Sequence, residues 1–396
     1  MIRSLMIATA LCLSAPALAK TIAVEAGADA QERLQEALIL AEPGDVVELG
    51  KGRFDLTDGL SLDVDNVTVK GQGSDQSVLN FAGQLGAGEG LLVTSDNVTL
   101  RDFAIEDSKG DGIKSKGADQ IIYHAVRVEW TGGPKATNGA YGIYPVESKN
   151  VLVQDSIVRG ASDAGIYVGQ SDNIIVRRNT AVENVAGIEI ENSYNAEVTE
   201  NLATRNTGGI LVFDLPNLPQ MGGHNVLVAR NAVIDNNTDN FAPEGNIVAG
   251  VPAGTGVMVM ANRDVVVAEN AIINNGTSAV MVVAYTQKFD DASYDPTARN
   301  VTIAKNIYSH SGFAPDVEGG QLLAQAFGGS LPAILYDGLG AGFNLVDDVP
   351  ALDLGLTKAG QSFAEAQPKL YQKPAAMAAK NLKAITLPAS MEDRLK

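Results

Sequence analysis

Short segments in which apolar side chains alternate with other residues recur through the middle of this chain at nearly constant spacing. One phrase, a glycine followed by Ile or Val and then a variable residue, occurs six times, beginning at Gly112, Gly142, Gly165, Gly187, Gly209 and Gly256. The steps between these glycines are 30, 23, 22, 22 and 47 residues. A base period near 22 residues with occasional insertions is typical of a solenoid.

Each period carries two further apolar segments, and asparagine or aspartate precedes most of them. The second segments begin at Asn66, Asn97, Asn150, Asn173, Asn225, Asp264 and Asn300, and third segments follow Asn179, Asn201, Asn231, Asn270 and Asn306. Asparagine tolerates left-handed backbone at corners, and its copies can bond one another between coils. Three short strands fill about 22 residues. The pattern therefore predicts an all-β, right-handed parallel β-helix. A β-sandwich would have no reason to repeat both phrases in register.

The chain is expected to divide into four parts. Residues 1–19 resemble a secretory signal, with Arg3, an apolar core and Ala17-Leu18-Ala19 before a mature start at Lys20. Residues 20–57 form an N-terminal cap with a helix from Arg33 to Ala41, preceded by Asp29 as N-cap. Coils occupy 58–312. Residues 313–396 supply final coils and a C-terminal tail packed on the solenoid.

Four insertions interrupt the period, at 131–141, 214–223, 235–255 and 284–298. In register, all of them flank the first strand of a coil. Insertions of this length in a compact body are usually functional. We expect them to wall a groove whose floor is the sheet of first strands.

Strand alternation assigns the outward residues of this groove. One column is Ser61, Leu92, Lys114, Tyr144, Tyr167, Glu189, Leu211, Met258 and Met281, and a second is Asp63, Thr94, Lys116, Val146, Gly169, Glu191, Phe213, Met260 and Val283. The groove therefore passes from basic residues through two tyrosines and two glutamates to an apolar end.

Several of these residues suit carbohydrate chemistry. Tyr144 and Tyr167, with Lys116 beside them, are candidates for binding a sugar ring. Glu189 and Glu191 share a face about 6.8 Å apart, within the roughly 6.5–9.5 Å of an inverting glycosidase pair. Lys114 is a candidate base for β-elimination. The alternative is that these glutamates and lysines are solvated surface charges.

Met258, Met260 and Met281 would lie bare on one strand face, with His224 on an adjacent insertion. Thioether and imidazole ligands suit Cu(I). Together with Leu211 and Phe213 the methionines would form an apolar surface for a periplasmic protein partner. The alternative is that the insertions bury them as core. Three histidines and one cysteine, Cys12, make a closed zinc site unsuited to this chain.

The net charge of the chain narrows the possible classes of ligand further. The chain has 29 basic and 47 acidic residues, a net charge of −18. This balance argues against nucleic acid. It also argues against acidic polysaccharides unless Ca²⁺ bridges the charges. No segment after the signal is long and apolar enough to span a membrane. Together with the signal, this predicts a periplasmic or secreted protein.

Segments 34–38 (LQEAL), 43–49 (PGDVVEL) and 52–54 (GRF) resemble the opening motif of the pectate-lyase-like superfamily. The coils are similar to its sugar-binding and sugar-hydrolase repeats, and the chain also resembles an uncharacterised group of exported proteobacterial β-helix proteins. The resemblance implies a polysaccharide or oligosaccharide ligand and, for an enzyme, lyase, epimerase or hydrolase activity.

The catalytic motifs of two enzyme families with this fold are missing from the chain. The polygalacturonase catalytic set is absent. The Asp-Pro-His of mannuronan epimerases is replaced by Asp295-Pro296-Thr297. Two hypotheses stay open: a carbohydrate-binding or carbohydrate-active protein, and a non-enzymatic accessory protein that binds a partner or Cu(I).

Overall fold

The computed structural model describes residues 19–361, 365–373 and 382–396, and three long sheets build almost all of it. The first sheet contains the glycine phrases, and its strands are Leu60–Leu62, Leu91–Val93, Ile113–Lys116, Tyr141–Val146, Ala164–Gly169, Ala186–Glu191, Gly208–Phe213, Thr255–Met260, Ser278–Val283, Ile334–Tyr336, Ala351–Asp353 and Lys369–Leu370. Only the last of these pairs antiparallel.

The other two sheets contain the second and third segments of each coil. The second sheet comprises Thr21–Val24, Val46–Leu49, Thr68–Lys70, Thr99–Arg101, Asp119–His124, Lys149–Gln154, Asp172–Arg177, Tyr194–Thr199, His224–Ala229, Arg263–Ala268, Arg299–Ala304 and Asn344–Leu345. The third comprises Gly52–Asp55, Ser77–Asn80, Ala104–Glu106, Arg127–Glu129, Ile157–Arg159, Thr180–Val182, Leu202–Thr204, Ala232–Ile234, Ala271–Ile273 and Ile307–Ser309. Every neighbour is one coil away, so the predicted parallel β-helix is confirmed.

The register also agrees with the sequence pattern. Lys114 pairs with Tyr144, Tyr167 with Glu189, and Leu211 with Met258. The residue after each glycine points into the core, where the stack Ile113, Ile143, Ile166, Ile188, Ile210, Val257 and Val280 is completely buried. Burial of one such side chain contributes about 1.5–3 kcal/mol, so this stack alone fixes the register strongly.

Asparagine corners hold neighbouring coils together. The Asx residues that begin second segments have the left-handed backbone that was predicted, for example Asn66 at φ 60° and Asn173 at φ 60°. In the ladder that begins at Asn179, each side-chain amide donates to the next Oδ1 at 2.9–3.0 Å, and Asn306 ends it by donating to Asp347.

The N-terminal end is closed by helix α1 (Ala30–Leu40), whose Leu34 and Leu38 pack on the first coils. The helix begins three residues earlier than predicted. Asp29 occupies the N-cap position in a left-handed conformation, but its side chain makes no capping hydrogen bond. Packing of the apolar face therefore sets this helix rather than its cap.

Two other segments cover the solenoid laterally. The 235–255 insertion, with a 3₁₀ turn at Ile247–Gly250, and helix α2 (Gly320–Ala326) lie over the first sheet. Residues 382–396, with helix α3 (Ala389–Asp393), lie over the second sheet and pack Leu387 and Met391 on its apolar residues.

Residues 1–18, which hold most of the predicted signal and Cys12, lie outside the described residues. In the described part, no helix combines the length and apolarity needed to cross a membrane.

Candidate functional site

The outward face of the first sheet forms a groove that is open over its first four coils. Ser61 is exposed, and Leu92, Lys114 and Tyr144 are half-buried. An open cleft of about 230 Å³ lies at this end, lined by Ser61, Gly88, Glu89 and Leu92 among others. These coils precede the 214–223, 235–255 and 284–298 insertions.

From Tyr167 onward the same column is covered. Tyr167 is 5% exposed, Glu189 2% and Leu211 0%. Val248 and Val251 of the 235–255 insertion, together with Ala324 of α2, pack into one apolar cluster with Tyr167 and Leu211. The groove therefore ends against a closed compartment at the fifth coil.

Three tyrosines form the wall between the open and closed parts. The rings of Tyr141, Tyr144 and Tyr167 lie 4.5–4.9 Å apart, centroid to centroid. Gly169 makes room for this arrangement, because a Cβ there would lie 2.3 Å from the Tyr167 ring. The ring therefore lies over Gly169, and its hydroxyl donates to Glu191 Oε1 at 2.7 Å.

Behind the tyrosines lies a buried carboxyl cluster of Asp163, Glu189 and Glu191. Burial raises the pKa of Asp163 to about 7, although Asn246 Nδ2 donates to it at 3.3 Å. Burial also raises the pKa of Glu191 to about 7, against the bond from Tyr167. The pKa of Glu189 is raised well above its ordinary value by burial and by the charges of Asp163 and Glu191. The cluster therefore binds protons near neutral pH.

Glu189 is the most isolated member of the cluster. Its Oε2 is buried and has no hydrogen-bond partner. A charged carboxylate in such a position would carry a large desolvation penalty. The neutral acid, which can donate its own proton, is the form that this environment favours.

At the mouth of the compartment Lys114 lies between two carboxylates whose pKa values move in opposite directions. Its Nζ is 3.1 Å from Glu89 and 3.9 Å from Asp111, and 5.0 Å above the Tyr144 ring centroid. Burial raises the pKa of Asp111 to about 6, against the Lys114 charge and the Tyr141 N–H. Burial also raises the pKa of Glu89, but a backbone hydrogen bond and Lys114 together lower it below its ordinary value.

The comparisons with known proteins agree with this architecture. Residues 61–218 match a family described as the right-handed β-helix region. The protein folds as a right-handed parallel β-helix. A search of curated protein sequences finds no match.

Two solved structures share this β-helix fold over most of the chain. The A-module of a mannuronan C-5 epimerase from Azotobacter vinelandii is 16% identical, with a TM-score of 0.50, and the alignment covers 81% of this chain and 92% of that one. A lacto-N-biosidase from Eubacterium ramulus is 13% identical, with a TM-score of 0.54, and the alignment covers 83% of this chain and 68% of that one. At these identities the similarity shows the fold alone.

The β-helix does not present all of the candidate groove residues to solvent. Lys114 and Tyr144 reach the open groove, and Lys116 is exposed beside Glu147 at 3.8 Å. Tyr167, expected on an open surface, is buried instead. Glu189 and Glu191 are neither solvated charges nor an accessible glycosidase pair, because the 235–255 insertion and α2 close over their column.

The expectation of an exposed methionine surface is also wrong. Met258 is 4% exposed and Met281 5%, while Leu211 and Phe213 are fully buried. Met260 is partly buried beside Tyr285 and Tyr294 of the 284–298 insertion. His224 lies on the second sheet, where its ring centroid is 4.4 Å from that of Tyr194 and the two rings are tilted by 35°. The insertions cover this apolar end, as the alternative interpretation of the sequence held.

Metal binding stays a prediction. Among the described residues, no group of three or more His, Cys, Asp or Glu side chains is arranged to hold a metal ion.

Two of the larger clefts lie away from the groove. One of about 510 Å³ is polar and lies between the 235–255 insertion and residues 313–316. The other, of about 340 Å³, lies on the second sheet beside residues 382–384. Neither is lined by a member of the buried carboxyl cluster.

Alternation along the strands did not identify Glu89, Asp111, Tyr141, Asp163 or Asn246. Glu89, Asp111 and Asp163 stand just before a first strand and Tyr141 begins one, where the chain turns a corner and alternation no longer gives side-chain direction. Their sequence signal is an acid or tyrosine placed one or two residues before the Gly-Ile phrase, as in Asp111-Gly112-Ile113. Asn246 belongs to an insertion without any period.

Proposed function

We propose that this protein is carbohydrate-active and hydrolyses a saccharide that lies along the open groove. The ring would rest beside Tyr144, with Lys114 donating hydrogen bonds to its hydroxyls. The proposal also takes the chain to be exported, which gives it access to extracellular glycans.

The observation that carries the proposal is the pair of carboxylates on either side of Lys114. Environments that separate the pKa values of two neighbouring carboxyls assign one as acid and the other as base. Asp111, with a pKa of about 6, can hold a proton near neutral pH, and Glu89, with a lowered pKa, stays ionised.

The salt bridges to Lys114 set an upper limit on the spacing of the pair. Both carboxylates lie within 4 Å of Lys114 Nζ, so their nearest oxygens are no more than about 7 Å apart. This limit admits the separation of about 5–5.5 Å in retaining glycoside hydrolases and the lower end of the roughly 6.5–9.5 Å in inverting ones. Asp111 would protonate the glycosidic oxygen as its bond to C1 breaks. Water would then add to C1 and lose its proton to Glu89.

The surroundings of Asp111 itself support this assignment. Burial is the main cause that raises its pKa and the charge of Glu89 raises it further, while Lys114 and the Tyr141 N–H lower it. A pKa of about 6 suits a general acid that works near neutral pH.

The test is a screen for turnover with soluble oligosaccharides, followed by Asp111→Asn. This change keeps the side-chain shape and removes the proton. We expect kcat to fall at least 100-fold, since general acid catalysis contributes about 10²–10⁴-fold, and KM to change less than threefold. Asp290→Asn, at an exposed position in the 284–298 insertion, is the matched control. Unchanged turnover in Asp111→Asn would contradict the proposal.

A further inference from the structure

The charges around the groove also bear on which saccharides it binds, charged or uncharged. In the eleven parallel strands of the first sheet the basic residues are Lys114 and Lys116. Both are already paired with carboxylates, Lys114 with Glu89 and Asp111 and Lys116 with Glu147. The groove floor thus offers no lysine or arginine free of an acidic partner.

The insertion that borders the groove at the fifth coil is acidic. The 235–255 insertion carries Asp235, Asp239 and Glu244 and neither lysine nor arginine. At the open end Glu89 and Asp111 lie beside Lys114, and the exposed Lys109 and Lys135 belong to loops outside the strands of the floor. An anion placed beside Tyr144 would therefore lie near two carboxyls, and the floor lysine next to it is already paired.

We infer that the ligand of this groove is an uncharged saccharide and not a uronate polymer. A uronate carboxylate would lose part of its hydration and find both lysines of the groove floor already paired. A neutral sugar meets none of this repulsion, and its hydroxyls can bond both Lys114 and the ionised Glu89. The inference rests on the proposed function, because it concerns the same groove.

A preference for uncharged saccharides agrees with the assignment of Asp111 as acid and Glu89 as base. β-Elimination and C5 epimerisation of a polysaccharide proceed through loss of the C5 proton, which the neighbouring carboxyl group of a uronate acidifies, and a neutral sugar lacks this carboxyl group. Acid-catalysed cleavage needs only the glycosidic oxygen that Asp111 would protonate. The arrangement of Lys114 between Glu89 and Asp111 thus favours both an uncharged ligand and hydrolysis.

Calorimetric titration with matched ligands tests the inference. The pairs are β-1,4-glucan against β-1,4-glucuronan oligomers, β-1,4-mannan against β-1,4-mannuronan oligomers, and methyl-esterified against unesterified oligogalacturonate. Each pair keeps its backbone and differs in the carboxylate. We expect at least one uncharged member to bind, with its uronate partner bound at least tenfold more weakly at 50 mM salt.

A charge variant makes the test more specific. Glu89→Gln removes one repelling carboxylate from the mouth of the groove, and uronate binding is expected to strengthen about threefold or more. Binding is measured here because Glu89 belongs to the proposed catalytic pair. Glu269→Gln, on the second sheet, should change nothing. Uronate binding equal to or tighter than that of its neutral partner would overturn the inference and leave the proposed function standing. Absence of binding by every ligand would overturn both.

Discussion

Replacement of Glu191 by glutamine should stabilise the protein at alkaline pH and leave its stability unchanged in acid. Burial raises the folded-state pKa of Glu191 from 4.5 to about 7. Between these values the folded state keeps a proton that the unfolded chain has lost. The stability that this proton gives is complete below pH 4.5 and is lost as the pH rises toward 7.

The magnitude follows from the size of this shift. Each pKa unit corresponds to about 1.4 kcal/mol, so about 2.5 units reduce the free energy of unfolding of the wild type by about 3 kcal/mol at pH 8. Glutamine is neutral at every pH, and its Oε1 can still accept the bond from Tyr167. We therefore expect the variant to be about 3 kcal/mol more stable than the wild type at pH 8. At pH 4.5 the two should agree within about 0.5 kcal/mol.

Urea unfolding at pH 4.5 and pH 8 measures this difference. The single tryptophan, Trp130, is 4% exposed and reports unfolding by fluorescence, and far-UV circular dichroism provides a second probe. The lowered pKa of His124 has the opposite effect on pH dependence but is common to both proteins. Glu147→Gln removes an exposed carboxylate and should show no gain at pH 8.

The reasoning is refuted if Glu191→Gln follows the pH dependence of the wild type, or if it is less stable at pH 8. Either result would mean that Glu191 is not a buried acid held in its protonated form. The compartment behind Tyr167 would then be wetter, or differently closed, than its packing indicates.

Two further predictions concern the coils and export. A second asparagine ladder runs through Asn184, Asn206, Asn236 and Asn275. Asn206 is fully buried and donates to Ala181 O and Asn236 Oδ1, so Asn206→Ala leaves several buried groups unpaired and should lower the free energy of unfolding by about 2–4 kcal/mol. The exposed Gln76→Ala is its control, and equal stability of the two variants would argue against a stabilising role of this second ladder. N-terminal sequencing of protein from the periplasm or medium should begin at Lys20, and a retained Met1 would contradict the predicted signal.

Local periodicity was sufficient to predict the coils of this protein. Each Gly-Ile phrase puts one apolar side chain into the core and the next residue on the outside. The sequence alone therefore assigns Lys114, Tyr144 and Glu189 to one column of the groove. The left-handed corner at Asn173 followed from the side-chain chemistry of asparagine. These features depend on contacts within a coil or between adjacent coils.

The sequence did not predict which residues of this column are buried. Whether Glu189 and Met258 are exposed depends on the path of the 235–255 insertion, which has no repeat and packs through Val248 and Val251. Asp163 joins Glu189 only because a corner directs it inward. Long-range packing of irregular segments therefore converted an expected open surface into a buried carboxyl cluster.

The central claim is that the mouth of this compartment binds the saccharide. A crystal structure of the protein soaked with the best uncharged oligosaccharide from the paired titrations tests it most directly. The account predicts sugar density beside Tyr144, within hydrogen-bonding distance of Lys114 and with a glycosidic oxygen facing Asp111. Sugar bound instead in the polar cleft beside Phe313, or on the second sheet beside Arg230, would contradict it.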